Sequence, residues 1–334
     1  MDQGKARTPV KSILFRAATG LLLAGVAHLA GAAQITSYDM ARPDGARHYL
    51  LATPDQPAPG RHPLVILLHG HVGSAAQVLG RERIASPLSM WLHIADREQL
   101  LVLAPDGLLG SDGKTGWNDC RSDAVSNPHV DDVGFINALI DKAVAEHHAD
   151  PARVYVMGMS NGGIMAFRLA TESPARLAAF ATVGASMAAK SSCAAPTMPV
   201  SALIVAGTAD PIVPYAGGDI RFAMLRQRGS VVPVEEAAAG WRQLARLPAA
   251  GETLEFPHRD VADVTRATRI TWGADPRKLQ VALIRVDKGG HTEPSKVKRL
   301  KWMYRMMLGP QNGDVEIAEE AWSFFRDKQA GLKP

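Results

Sequence analysis

Between Arg153 and Ala170 the chain reads RVYVMGMSNGGIMAFRLA, and within it Gly158-Met159-Ser160-Asn161-Gly162 sets a hydroxyl where the strand-like run VYVM passes into the helical pattern GIMAFRLA. A corner that sharp leaves no room for a Cβ two residues before or two after its apex, and it lifts the apical side chain clear of the sheet. Short β-branched or leucine-rich runs surround this corner: PLVILLHG, LLVLAPDG, LAAFATVGAS, SALIVAGTAD and LQVALIRVDKGGH, each ending in glycine or a polar residue. Buried strands that empty into loops and alternate with helical segments predict an α/β fold with a mostly parallel central sheet and helices on both faces.

The helical segments carry their own signals. From Asp132 to His148 the residues Val133, Ile136, Ile140 and Val144 form one stripe, with Asp131 as the cap. Near the end of the chain Val315, Ala318, Trp322 and Phe325 recur at helical spacing and predict a helix closing one flank of the sheet. The stretch ITSYDMARPDGARHYLLATP, with Pro43-Asp44-Gly45 between two extended runs, predicts an antiparallel hairpin at the sheet edge.

Residues 1–33 read as a signal peptide: Lys5, Arg7, Lys11 and Arg16 precede AATGLLLAGVAHLAGAA, which is too short to span a membrane and ends in small residues suited to cleavage after Ala32 or Ala33. The remainder, 34–334, reads as a single catalytic domain without repeats or a Ser/Gly-rich linker. Export to the periplasm or the medium follows, with no stable membrane anchor after cleavage. Removing the leader takes away four cations and Asp2, so the net charge of +4 falls to +1. A nucleic-acid partner, which would want a basic stripe on the folded domain, gets little support from that balance. An oxidising destination also lets the two cysteines, Cys120 and Cys193, pair as a disulfide, the other reading being two buried free thiols.

A serine hydroxyl attacks only when a neighbouring base takes its proton and a third group holds that base. In strand–turn–helix frames of this kind the order along the chain is serine, acid, histidine. Asp210 ends the strand of IVAGTADP and His291 follows the strand of IRVDKGGH, so Ser160, Asp210 and His291 form the candidate triad. Asp263 and Asp287 are rival acids, of which Asp287 is the first substitute. The developing oxyanion needs two backbone amides, one from Asn161 and one, after the strand LLHGHVGS, from His71. A metal site on His69 and His71 lacks a matching Cys, Asp or Glu cluster, and the chemistry needs no cofactor.

The segments LLHG, PDG with GWNDC, DDVGFINALID, DPARVYVMGMSNGG, AGTADPIVPYAGG, GGHT and AWSFF together resemble the secreted polyhydroxybutyrate depolymerase and feruloyl esterase-like group of the α/β-hydrolase superfamily. The resemblance covers most of residues 34–334. It implies hydrolysis of a carboxylic ester, small or polymeric, through an acyl-enzyme, with Ser160, Asp210 and His291 in the matching motif positions. Two departures stand out. The histidine motif of the group commonly reads G-G-H-T-W-P, whereas Glu293 occupies the aromatic position here. A further cysteine pair the group often carries near ARLPAA and TWGADP is absent.

Trp117 is the candidate pocket wall, a buried structural tryptophan being the equal alternative. In KVKRLKWMYRMM the residues Val297, Leu300, Tyr304 and Met307 make an apolar stripe, with cations mostly off it, either a solvated basic face or a lid beside the site. Two other functions use the same residues: a peptidase or acyltransferase on the same triad, and a non-catalytic homologue that holds a ligand. The oligomeric state leaves no mark on the sequence.

Overall fold

Every apolar position of the strand His62–Leu68 is buried, and its side chains divide by parity between two cores. Leu64, Ile66 and Leu68 face one, Val65 and Leu67 the other, as the period of two in a strand covered on both sides requires. The computed structural model describes residues 1, 2, 4, 33–84, 86–221 and 228–331. The signal-peptide reading falls outside these residues, apart from its two ends. The compact unit Gly31–Pro334 carries everything that follows.

Ten strands make one sheet: β1 (Gln34–Arg42), β2 (Gly45–Thr53), β3 (His62–Leu68), β4 (Leu101–Pro105), β5 (Ala149–Met159), β6 (Ala179–Val183), β7 (Ser201–Gly207), β8 (Glu252–Glu255), β9 (Arg266–Trp272) and β10 (Val281–Asp287). Their spatial order is β1-β2-β4-β3-β5-β6-β7-β10-β9-β8. The six central strands, β4 through β10 in that order, run parallel, and both edges are antiparallel. The predicted hairpin is β1–β2, in register from Gln34↔Thr53 to Arg42↔Gly45. The second antiparallel edge, β8 and β9, went unread. All four residues of β8 are exposed and β9 is mostly half-buried, so neither carries the apolar run that marks the central strands.

Helices α2 (Asp132–Glu146), α3 (Asn161–Glu172) and α4 (Val234–Leu244) cover one face. Helices α1 (Trp91–Glu98) and α6 (Ile317–Phe325) cover the other. Asp131 caps α2 by accepting from the Gly134 amide. This helix ends two residues before the expected His148, whose φ of 56° breaks the helical path into β5. Phe325 of α6 stacks on Tyr155 at 4.9 Å between ring centroids, which seats the terminal helix on its flank as its spacing predicts. No helix among the described residues is long and apolar enough to cross a membrane.

Candidate active site

Because the central strands are parallel, their carboxyl ends share one edge, and the loops after β3, β5, β7 and β10 meet there. Ser160 follows β5 with φ 56° and ψ −123°, a conformation that residues with a Cβ rarely adopt. The surroundings enforce it. A Cβ on Gly158 would overlap the carbonyl of Gly162, and one on Gly162 would overlap the carbonyls of Leu68 and His69. The Ser160 amide donates to the Val183 carbonyl of β6 at 2.8 Å, tying the apex to the neighbouring strand.

His291 stands at the same edge. Its Nδ1 lies 2.7 Å from Asp210 Oδ2, and both side chains are almost wholly buried. The other carboxylate oxygen, Asp210 Oδ1, accepts from the amides of Ile212 and Val213, each at 2.8 Å. The carboxylate is therefore fixed in both oxygens. Gly184, one residue beyond the Val183 carbonyl that holds Ser160, closes against the imidazole: a Cβ there would sit 3.1 Å from His291 Nδ1. Ser160 and His291 line one cavity of about 520 Å³. The rival acids lie elsewhere. Asp287 is engaged by its own neighbour Arg285, and Asp263 by Thr265 and the Gly313 amide.

The loop after β3 folds over the serine, and a Cβ on Gly70 would lie 3.4 Å from that of Ser160. His69 is a structural residue of this loop: its Nδ1 lies 2.7 Å from the Gly70 carbonyl, and its Nε2 accepts from the Gly107 amide at 2.9 Å. Both ring nitrogens are engaged, and burial pushes its pKa down. His71 Nε2 lies 2.9 Å from Arg228 and 3.0 Å from Asp112, while its Nδ1 is buried without a partner. Burial, assisted by the neighbouring Arg228 guanidinium, pushes the His71 pKa down to about 4, so the ring is neutral at pH 7.

Asn161 begins α3 with its side chain turned into the protein. Oδ1 accepts from the Trp117 amide at 2.7 Å, and Nδ2 donates to the Trp117 carbonyl at 3.1 Å and to Asp119 Oδ2 at 2.5 Å. The backbone amide adjacent to the serine is thereby held by the segment 117–119. Asp119 in turn binds Arg121, which lines the cavity. Cys120, between them, is joined to Cys193 by a disulfide across 73 positions.

Trp117 is not a pocket wall. It is fully buried, its indole Nε1 donates to the His69 carbonyl at 2.9 Å, and its ring packs 4.9 Å from that of His69. A carbonyl needing a donor under the β3 loop draws the indole inward. The cavity is instead lined by Ile164, Ile212, Ile220, Arg121 and Arg228. The two arginines escaped sequence reading because nothing local marks a cation as facing a cavity rather than solvent. The stretch 296–307 is helical only from Trp302, as α5 (Trp302–Leu308). Leu300, Tyr304, Met307 and Leu308 border the cavity, but Val297 points to solvent.

Glu293 also lines the cavity and is buried, with Ser86 Oγ donating to its Oε1 at 2.7 Å. Burial pushes its carboxyl above the ordinary range. The unfolded carboxyl, near pH 4.3, ionises first, so stability falls as pH rises from there through the raised folded value. Glu293→Gln is expected to stabilise the protein above that window and to lose the advantage below about pH 4. Thermal unfolding of both proteins between pH 4 and 8 measures this. Parallel curves would show that the buried carboxyl carries no such penalty.

The sequence profile of the Esterase PHB depolymerase family matches residues 47–212. "Putative esterase NocK" of Nocardia uniformis subsp. tsuyamanensis is 29% identical over 294 residues, 83% of this chain and 78% of that protein. Feruloyl esterase C of Emericella nidulans is 28% identical over 175 residues, covering 52% of this chain and 58% of the fungal one, so the match spans little more than half of it. Among solved structures, acetyl xylan esterase from Aspergillus awamori superposes with a TM-score of 0.56 at 14% identity, over 87% of this chain and 99% of that one, a likeness of fold. By sequence profile, relatives and topology together, residues 47–212 carry an esterase PHB depolymerase domain, and the protein is a carboxylic ester hydrolase on the α/β-hydrolase fold.

Proposed function

We propose that the protein is an exported serine esterase working through an acyl-enzyme. The observation that carries this reading is His291, held by Asp210 at 2.7 Å and lining the same cavity as the strained corner at Ser160. In this mechanism His291 donates its Nδ1 proton in a hydrogen bond to Asp210, and its Nε2 takes the Ser160 proton. The serine oxygen attacks the ester carbonyl. The amides of Asn161 and His71 hold the oxyanion while the tetrahedral intermediate expels the alcohol, which receives the proton from His291. Water then attacks the acyl carbonyl as His291 takes one of its protons, and the second tetrahedral intermediate expels the Ser160 oxygen, which regains that proton from His291 as the acid leaves. No cofactor takes part.

The substrate class is a carboxylic ester whose acyl or alcohol part fits a largely apolar cavity of about 520 Å³, the size of a small-molecule site. A fluorophosphonate probe tests the nucleophile directly: one adduct is expected, and peptide mapping should place it on Ser160. A folded protein that stays unlabelled would leave the non-catalytic alternative standing. Comparing short p-nitrophenyl esters with a prolyl anilide separates esterase from peptidase, with turnover expected only on the esters.

A further inference from the structure

Five of the large apolar side chains exposed in the described residues fall within eleven positions: Val297, Trp302, Met303, Met306 and Met307. Four of them lie on α5, none of whose seven residues is buried, and Trp302 and Met306 are 64% and 70% exposed. A solvated helix exposing tryptophan and three methionines is unusual for a soluble surface. This face continues to the cavity. Met307 lines the mouth, as do the exposed Val72 and Ile84 from other loops, so an apolar rim surrounds the entrance with α5 at its side.

The charge around the patch selects what covers it. Lys296, Lys298, Lys301 and Arg305 are exposed in the same segment, no acid occurs between Glu293 and Asp314, and Arg299 is engaged by Asp263 at 3.5 Å and by the Ser295 and Gln311 carbonyls. On the rim itself Arg83 stands beside one acid, Glu82, which Ser74 Oγ engages, and Arg81 precedes them in the chain. Apolar side chains that include tryptophan, interleaved with lysine and arginine, match an anionic lipid surface: the rings and thioethers enter the headgroup boundary while the cations meet phosphates. A neutral polyester surface would use the apolar residues and leave the cations without partners. We propose that α5 and the flanking segment 296–301 dock the protein peripherally on an anionic phospholipid bilayer and thereby set the cavity mouth against the membrane.

Flotation with vesicles tests this, using phosphatidylcholine alone and phosphatidylcholine with 30% phosphatidylglycerol. Binding is expected to be at least tenfold tighter to the anionic vesicles and to weaken as salt is raised. Substituting Trp302, Met303 and Met306 by Ala should weaken it tenfold or more, and Lys296, Lys298 and Lys301 by Gln by about 100-fold. These six side chains lie outside the proposed catalytic machinery, so both variants should keep wild-type turnover of a soluble short ester and unchanged circular dichroism. Ser160→Ala should bind vesicles as tightly as wild type, which separates docking from chemistry. Equal binding to neutral and anionic vesicles would overturn the proposal. So would adsorption to polyhydroxybutyrate film without any response to anionic lipid, or a dimer that the Trp302, Met303 and Met306 substitutions dissociate.

Discussion

Replacing Ser160 by Ala is expected to lower kcat by about 10⁴-fold or more while shifting the melting temperature by less than about 2 °C. The hydroxyl makes no cap on α3, so its loss removes the proposed nucleophile and almost nothing else. Glycine at the same position separates chemistry from strain. Ser160 holds a φ of 56° and a ψ of −123°, which costs a residue with a Cβ of order 1–3 kcal/mol. Ser160→Gly is therefore expected to be as inactive as the alanine variant and more stable than wild type by about 1 kcal/mol. Chemical denaturation of the three proteins reads the difference. Substantial turnover by either variant would remove Ser160 from its proposed role, and a glycine variant no more stable than alanine would show that the corner stores no strain.

The second large effect is expected from Asp210→Asn, and its direction follows from the hydrogen bonds on each carboxylate oxygen. Oδ1 accepts from two amides, those of Ile212 and Val213. An asparagine must keep its carbonyl oxygen there, because turning its NH2 toward two N–H donors would bury three unmatched donors. Its NH2 then faces His291 Nδ1 in place of Oδ2. The imidazole can only accept at Nδ1 and must carry its proton on Nε2, the atom that has to receive the serine proton. A loss of about 10³–10⁴ in kcat is expected, with KM little changed, since Asp210 is buried behind the histidine. Asp210→Ala leaves the imidazole free to choose its tautomer and should be no worse than asparagine. A mild effect of Asp210→Asn would point to another acid, with Asp287 first to be substituted.

Much of this architecture was legible because a strand buried on both faces writes itself as an unbroken apolar run, and because a tight corner writes itself in glycine. β3 to β7 and β10 follow from the first rule, and Ser160 from the second. Asp210 and His291 were found through position at the ends of such runs. What escaped has a common physical character. β8 and β9 are half-solvated edge strands whose alternation is too weak to separate from loop. Trp117 misled because a tryptophan in a loop beside the site says nothing about which way the indole turns, and here a single carbonyl, that of His69, decides it. For Asn161 the sequence suggests only the proposed backbone donor. Its side-chain clamp on Trp117 and Asp119 depends on a loop that arrives from forty positions upstream.

The Val183–Gly184 step, bonded to Ser160 on one side and packed against His291 on the other, has a consequence for how such a protein can diversify. The proposed nucleophile and base follow β5 and β10, parallel strands with β6 and β7 between them, so the tolerance of the reacting atoms is a property of the sheet's pairing. The segments that shape the entrance, at 70–87, 228–231 and 296–308, are free to change length and chemistry around that fixed pair. New ester preferences are thus reachable by rewriting surface loops alone, without reopening the geometry of proton transfer.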